Sequence, residues 1–141
     1  MSSDLEAALW GALAGAGMGG LVSFVSECIL DRRRRSRMLK DKFSDNAFDF
    51  VANVESYWSL NGQDPSMQAA IVAGINKMRA GLVNLGFDLQ KNAEVRLLMK
   101  EIFQFATGGL FASQARTSDT QRAANVSKRV ASLSSLVAAQ T

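Results

Sequence analysis

The sequence predicts an all-α protein with one N-terminal transmembrane helix followed by a four-helix cytoplasmic bundle. Three observations lead to this fold class: residues 7–26 carry no charge, a block of arginines follows them, and the remainder shows amphipathic helical patterns without any β-rich run. We expect an acidic tail over 1–6, a transmembrane helix over 7–30, a basic juxtamembrane segment over 31–40 and a helical cytoplasmic domain over 41–141.

The composition argues against most catalytic and metal chemistry. The 141 residues include no histidine and one cysteine, Cys28. Zinc sites, His-based acid–base pairs, a Cys-His nucleophile and an internal disulfide are therefore excluded. The acidic residues are scattered along the predicted helices, and no base can be assigned to the serines and threonines. We expect a non-enzymatic protein without cofactor or metal.

The stretch GALAGAGMGG at 11–20 has two interpretations. It contains a match to the G-x-G-x-x-G dinucleotide fingerprint, which requires a strand before the first glycine and another after the helix. The preceding residues favour a helix and the following DRRRRSR cannot be a buried strand, so the second interpretation is preferred. This is a helix-packing face of small residues that lets a partner backbone approach closely. Its residues are Gly11, Gly15, Gly19, Ala12, Ala16 and Gly20.

The context of this stretch favours a membrane. Twenty uncharged residues would span roughly 30 Å as a helix, about the hydrocarbon thickness. Trp10 suits the interface, and the expected membrane anchors are completed by Arg32, Arg33, Arg34, Arg35 and Arg37. The acidic tail lacks the positive n-region of a cleavable signal peptide. Positive charge stays inside, so we expect the inner membrane with the N-terminus outside. The alternative is a buried, alanine- and glycine-rich helix of a soluble core.

The net charge of the chain is best interpreted from where its basic residues lie. Six basic residues lie within the nine positions 32–40, and because the net charge is +3, the other residues sum to −3. The block predicts a topology anchor and attraction to the anionic headgroups of a lipid bilayer. We expect no nucleic-acid partner, because the basicity is confined to one short block without surrounding aromatic residues.

Two amphipathic helices are predicted directly after the block. The first runs over 38–60, with an apolar face of Leu39, Phe43, Ala47, Phe50, Val54 and Tyr57. NGQDP then ends it, with Asp64 as N-cap and Pro65 at the first position of the second helix. This second helix runs over 65–85 and ends at Gly86. Its apolar face carries Met67, Ile71, Ile75, Met78 and Leu82.

Two more helices complete the predicted bundle. The third runs over 93–107 and stops at Gly108-Gly109; its face carries Val95, Leu98, Met99, Ile102, Phe103 and Phe105. The fourth begins near Ser118, where SDTQ has the form of a capping box, and carries Val126, Val130, Leu133 and Val137. We interpret all four stripes as core packing. Of Tyr57 and Trp58, we expect one ring in the core and the other near the turn.

Two stretches carry a resemblance to other proteins, NVESYWSLNGQD at 53–64 and FATGGLFASQARTSDTQRAANV at 105–126. With the order of features, they resemble a group of small, uncharacterised bacterial membrane proteins. These have one N-terminal span, a basic stretch and a helical cytoplasmic domain. The resemblance implies this architecture, no mechanism and no functional residues.

The leading functional hypothesis is a single-pass inner-membrane protein that self-associates into a homo-oligomer through its glycine-rich helix. Its cytosolic helices would oligomerise or bind a cytosolic protein partner. One alternative is a membrane-disrupting effector of the toxin or phage-defence type, forming a leak. Glu27 lies nearly on the helical face of Ala16 and Gly20 and would line such a pore; otherwise it lies at headgroup level and pairs with an arginine. A second alternative is a soluble helical adaptor.

Overall fold

Four α-helices form within residues 2–140: α1 (Ser2–Trp58), α2 (Pro65–Asn84), α3 (Ala93–Thr107) and α4 (Thr120–Ala139). The computed structural model describes the backbone of residues 2–140 and the side chains of residues 23–140. No strand occurs in residues 2–140, so the prediction of an all-α helical bundle is confirmed. The chain divides into two compact units, Met1–Met38 and Leu39–Thr141.

Helix α1 is a single helix of 57 residues, although the sequence suggested a transmembrane helix and a separate helix over 38–60. No glycine or proline occurs between positions 21 and 58. Because these are the residues that most strongly interrupt helices, nothing local stops the helix at the arginine block. It ends at Trp58, two residues before the predicted end.

In the part of the chain that the structure describes, no helix combines the length and the apolar composition needed to cross a membrane. This finding contradicts the predicted transmembrane helix over 7–30 and the predicted inner-membrane localisation with the N-terminus outside and the C-terminal domain in the cytoplasm. The physical reason among the described side chains is charge: positions 23–38 of α1 carry Glu27, Asp31 and five arginines, whereas residues 7–22 of the predicted span lie outside the side chains that the structure describes.

The ends of α2 and α3 follow local sequence signals. The Asp64 side chain accepts a hydrogen bond from the Met67 backbone N–H at 3.0 Å, and Pro65 is the first helical residue, as predicted. Asn92, a cap that the sequence interpretation missed, accepts from Val95 N–H at 3.1 Å. After α2, Gly86 adopts a φ of +90°, a conformation that glycine reaches without a Cβ clash.

Helix α4 begins one residue later than the predicted capping box requires. Asp119, and not Ser118, is the N-cap, and its side chain accepts a hydrogen bond from Arg122 N–H at 2.9 Å. The Asp119 backbone N–H donates to the Trp58 carbonyl at 2.8 Å. Both residue types cap helices well, so this tertiary hydrogen bond favours Asp119.

The four apolar faces meet in one core within the unit Leu39–Thr141. Every residue of the predicted α4 stripe is buried, and so are most of those on the other three helices; Leu39, Met67, Leu98 and Phe105 are half-buried and Phe103 is exposed. Tyr57 and Trp58 are both buried, which corrects the expectation that one ring would lie near the turn. The buried apolar residues are Phe43, Ala47, Phe50, Val54, Tyr57, Trp58, Ile71, Ile75, Met78, Leu82, Val95, Met99, Ile102, Ala106, Ala123, Val126, Val130, Leu133 and Val137.

Candidate protein-interaction site

The predicted site residues fall into two groups. The packing face of Gly11, Gly15, Gly19, Ala12, Ala16 and Gly20, and the anchor Trp10, lie outside the residues whose side chains the structure describes. The other anchors are exposed on α1, namely Arg32, Arg33, Arg34, Arg35 and Arg37. Glu27 is also exposed. The pore-lining role predicted for it requires a transmembrane helix, and the described residues contain no helix that could cross a membrane.

Four large apolar side chains lie exposed just before the arginines. The exposed fractions are 65% for Phe24, 50% for Val25, 47% for Ile29 and 50% for Leu30. Apolar side chains exposed side by side on a helix are typical of a surface that binds another molecule. These residues lie within the transmembrane helix that was predicted over 7–30.

A groove of about 450 Å³ runs along this part of α1 and is lined by Phe24, Val25, Cys28, Ile29, Arg32 and Arg33. These positions are spaced i, i+1, i+4, i+5, i+8 and i+9, so they share one helical face. We call these six residues the α1 patch. Its apolar half comes first along the chain and its cationic half follows. The spacing is visible in the sequence and would have indicated a patch of this kind.

The unit Leu39–Thr141 contains a second feature that the sequence did not indicate, a buried arginine. Arg116 lies in the α3–α4 loop and is 3% exposed. Its guanidinium donates hydrogen bonds to the carbonyls of Tyr57 and Gly62. The Gly62 N–H in turn donates to the Arg116 carbonyl at 2.8 Å. These bonds join the α1–α2 loop to the α3–α4 loop.

Trp58 and Arg122 extend the same junction. The Trp58 indole N–H donates to the Ala106 carbonyl at 3.1 Å, and the Arg122 guanidinium carbon lies 4.8 Å from the centroid of the Trp58 ring. Arg122 also donates to the Phe105 carbonyl at 3.1 Å. Apart from Arg122 Nε, which is buried without a hydrogen-bond partner, these polar atoms are occupied by neighbours within the chain. The junction is therefore a structural element and offers few groups to a ligand.

Of the open clefts in the same unit, two bear on binding. One, of about 410 Å³, lies between α1 and α4 and has mostly small lining residues such as Ala47, Ala52 and Ala131, with Phe48 beside them. The other, of about 340 Å³, lies between α2 and α3 and is lined by Arg79, Leu89, Arg96, Met99, Lys100 and Phe103. We call the second one the α2–α3 cleft. Its lining combines three cations with apolar side chains.

The described residues offer no cluster of metal ligands. Among the described residues, no group of three or more histidine, cysteine or acidic side chains could hold a metal ion. Cys28 is a free thiol on the α1 patch. The side chains that line the α1 patch and the α2–α3 cleft are mainly apolar and cationic, which suits the binding of a macromolecule.

No family model, no curated protein and no solved structure matches the chain.

Proposed function

We propose that this protein is a non-enzymatic helical adaptor that binds an acidic, amphipathic helix of a partner protein through the α1 patch. The observation that carries the proposal is the groove in which exposed apolar side chains stand next to Arg32 and Arg33. An apolar face presented at i and i+4 spacing is how helices bind one another in grooves. The described unit Leu39–Thr141 has its own buried core and would serve as the folded body of the adaptor.

Charge favours an acidic partner. The exposed segment 23–38 contains five arginines against Glu27 and Asp31, so it carries an excess of positive charge. Such an excess raises the rate of encounter with negatively charged partners and disfavours basic ones. The arginine guanidinium also pairs with carboxylates through two parallel hydrogen bonds.

A site-specific photo-crosslinker tests the proposal. It is introduced at Val25 in the α1 patch and, as a matched control, at Leu60, which is equally apolar and 64% exposed in the other unit. We expect a defined protein adduct from position 25 and none from position 60. The crosslinked segment of the partner, identified by mass spectrometry, should be helical and acidic.

Charge reversal then separates specific binding from chance proximity. Replacing Arg32 and Arg33 with Glu should lower the yield of the position-25 adduct by roughly tenfold, the change expected from about 1.4 kcal/mol of lost affinity. An adduct that survives the reversal, or an adduct with nucleic acid or lipid in place of protein, would contradict the proposal.

A further inference from the structure

The geometry points to a second copy of this chain as the occupant of the α2–α3 cleft, which would receive the acidic face of α1 around Phe48. The two surfaces that would meet both belong to the unit Leu39–Thr141. Neither overlaps the α1 patch, so this inference stands independently of the adaptor proposal.

The α2–α3 cleft presents positive charge around an apolar floor. Arg79 comes from α2, whereas Arg96 and Lys100 lie one turn apart on α3. Arg79 and Lys100 make no side-chain hydrogen bond or ion pair within the described residues, and Arg96 donates to the Gln90 carbonyl at 2.8 Å. Leu89, Met99 and Phe103 supply the apolar lining, and no carboxylate lines the cleft. The cleft therefore fits an apolar side chain flanked by carboxylates.

The exposed face of α1 has this composition. Phe48 is the most exposed large apolar side chain of the described residues, at 75%. Asp45 precedes it by three residues, Asp49 follows it, and Asp41 lies one turn before Asp45; all three are exposed. None of the three aspartates forms an ion pair within the described part of the chain. An aromatic side chain surrounded by unpaired carboxylates is the complement of the cleft.

The spacing of the charges matches as well. Asp45 and Asp49 are separated by four helical residues, which is about 6 Å along the axis, and Arg96 and Lys100 have the same separation. Two helices can therefore pair both aspartates with both cations while Phe48 reaches the apolar floor. Other large apolar side chains in this unit, such as Leu60 and Val83, lack such a set of charges around them.

Because the two surfaces are different, the contact is heterologous. One copy contributes the acidic face and retains a free cleft, whereas the next contributes the cleft and retains a free acidic face. Further copies therefore add head to tail into a ring or a filament, unless the contact is made twice across a two-fold axis and closes a dimer. Assembly should weaken as salt increases, since charges on the contact are screened.

Sedimentation velocity of the full chain over a range of concentrations tests the inference. We expect self-association at low salt that weakens by about tenfold or more for Phe48→Ser. The matched control Leu60→Ser removes an equally exposed apolar side chain and should leave self-association unchanged. Circular dichroism of both variants verifies that the fold is retained.

A charge swap supplies the decisive result. The variant with Asp45→Lys and Asp49→Lys, and the variant with Arg96→Glu and Lys100→Glu, should each remain monomeric alone. Mixed together, they should associate again, because each acidic face then finds a basic cleft on the other variant and the reversed pair also matches. Combining all four substitutions in one chain should restore self-association.

Several results would overturn the inference. A wild-type chain that remains monomeric at about 200 μM and low salt would do so, because the contact would then be too weak to assemble copies at that concentration. Association that persists in both charge-reversed variants would place the contact elsewhere. A monomer whose cleft binds a fluorescent acidic peptide or an oligonucleotide would assign the cleft to that partner.

Discussion

The guanidinium carbon of Arg116 lies 3.6 Å from the centroid of the Tyr57 ring, and both side chains are buried. The Tyr57 hydroxyl accepts hydrogen bonds from the Ala112 N–H and from the Gln68 side chain, each at 3.1 Å. Within the described residues Arg116 has no carboxylate partner. Its charge is stabilised by two backbone carbonyls and an aromatic face, which offset the cost of burial.

Replacement of Arg116 should therefore destabilise the fold strongly. In Arg116→Met the carbonyls of Tyr57 and Gly62 lose their donor while remaining in the loop junction, and we expect a loss of about 2–4 kcal/mol in the free energy of unfolding. Arg116→Lys should recover only part of this, because an ammonium cannot stack on Tyr57 and donate in the same fork geometry. Urea denaturation measures the free energy of unfolding of both variants. The exposed control Lys128→Met should change stability by less than about 0.5 kcal/mol, and an equal loss there would contradict the assignment.

Replacement of Ala112 by glycine is expected to stabilise the protein. Its φ of 64° is the only positive φ of a non-glycine residue among those described, and this conformation costs an L residue about 1–2 kcal/mol. Glycine removes that cost but adds about 0.4–1 kcal/mol of unfolded-state entropy. We expect Ala112→Gly to stabilise by about 0.5 kcal/mol, measured by thermal unfolding. The hydrogen bond from the Ala112 N–H to Tyr57 is kept.

The reverse change, from glycine to alanine at position 109, should have the opposite effect on stability. Gly109 has a φ of 62°, and a Cβ there would lie 2.9 Å from the Arg122 guanidinium. Gly109→Ala should therefore lower stability by about 1 kcal/mol or more. Stabilisation by Gly109→Ala would show that the loop relaxes freely and would remove the basis of both predictions.

Features that adjacent residues determine could be predicted from the sequence, whereas features that depend on tertiary contacts could not. The Asp64-Pro65 start of α2 and the Gly86 end are encoded by adjacent residues, so these bounds could be predicted. The burial of Arg116 depends on Tyr57, which lies 59 residues away, and no local pattern indicates such a contact. In the same way, the choice of Asp119 over Ser118 depends on the carbonyl of Trp58.

The α1 segment shows where composition misleads. A charge-free stretch beside arginines is typical of both a membrane span and an interaction helix. Among the described side chains, Glu27, Asp31 and the arginines leave no apolar run long enough to cross a membrane. The α2–α3 cleft could not be predicted either, because its cations come from two helices. Arg79 and Arg96 look like ordinary solvent-facing residues when each helix is considered alone.

Gly74 is expected to resist substitution because of its contact with α1. A Cβ at this position would lie 2.8 Å from Cδ2 of Phe50, which is 1% exposed and packed in the core. Alanine favours the helix by up to about 1 kcal/mol, but forcing Phe50 to move costs about 1–3 kcal/mol. We expect Gly74→Ala to destabilise by about 1 kcal/mol in urea denaturation. The pair Gly74→Ala and Phe50→Leu should cost less than the sum of the two single changes, whereas simple additivity would exclude the steric contact.

The fragment 39–141 is expected to fold by itself into the four-helix unit. Among the described side chains, every buried apolar residue lies between Phe43 and Val137, and none of the side chains at 23–38 is buried. The contacts that close the unit are also inside the fragment, including the hydrogen bond from the Gln140 side chain to the Leu85 carbonyl at 2.9 Å. Removing the preceding residues therefore exposes little core, and we expect the free energy of unfolding to agree with that of the full chain within about 1 kcal/mol. Circular dichroism should show a helical spectrum and one cooperative urea transition.

A shorter fragment gives the matched control for this last expectation. The fragment 61–141 lacks the part of α1 that supplies Phe43, Ala47, Phe50, Val54, Tyr57 and Trp58 to the core. Loss of single large side chains from a core costs about 2–5 kcal/mol each, and a typical domain has only about 5–15 kcal/mol in total. The shorter fragment should therefore show no cooperative transition. If it unfolds cooperatively with the same midpoint as 39–141, then α1 contributes nothing to the core and the bundle has three helices. If 39–141 itself lacks a transition, the residues before 39 are needed for folding.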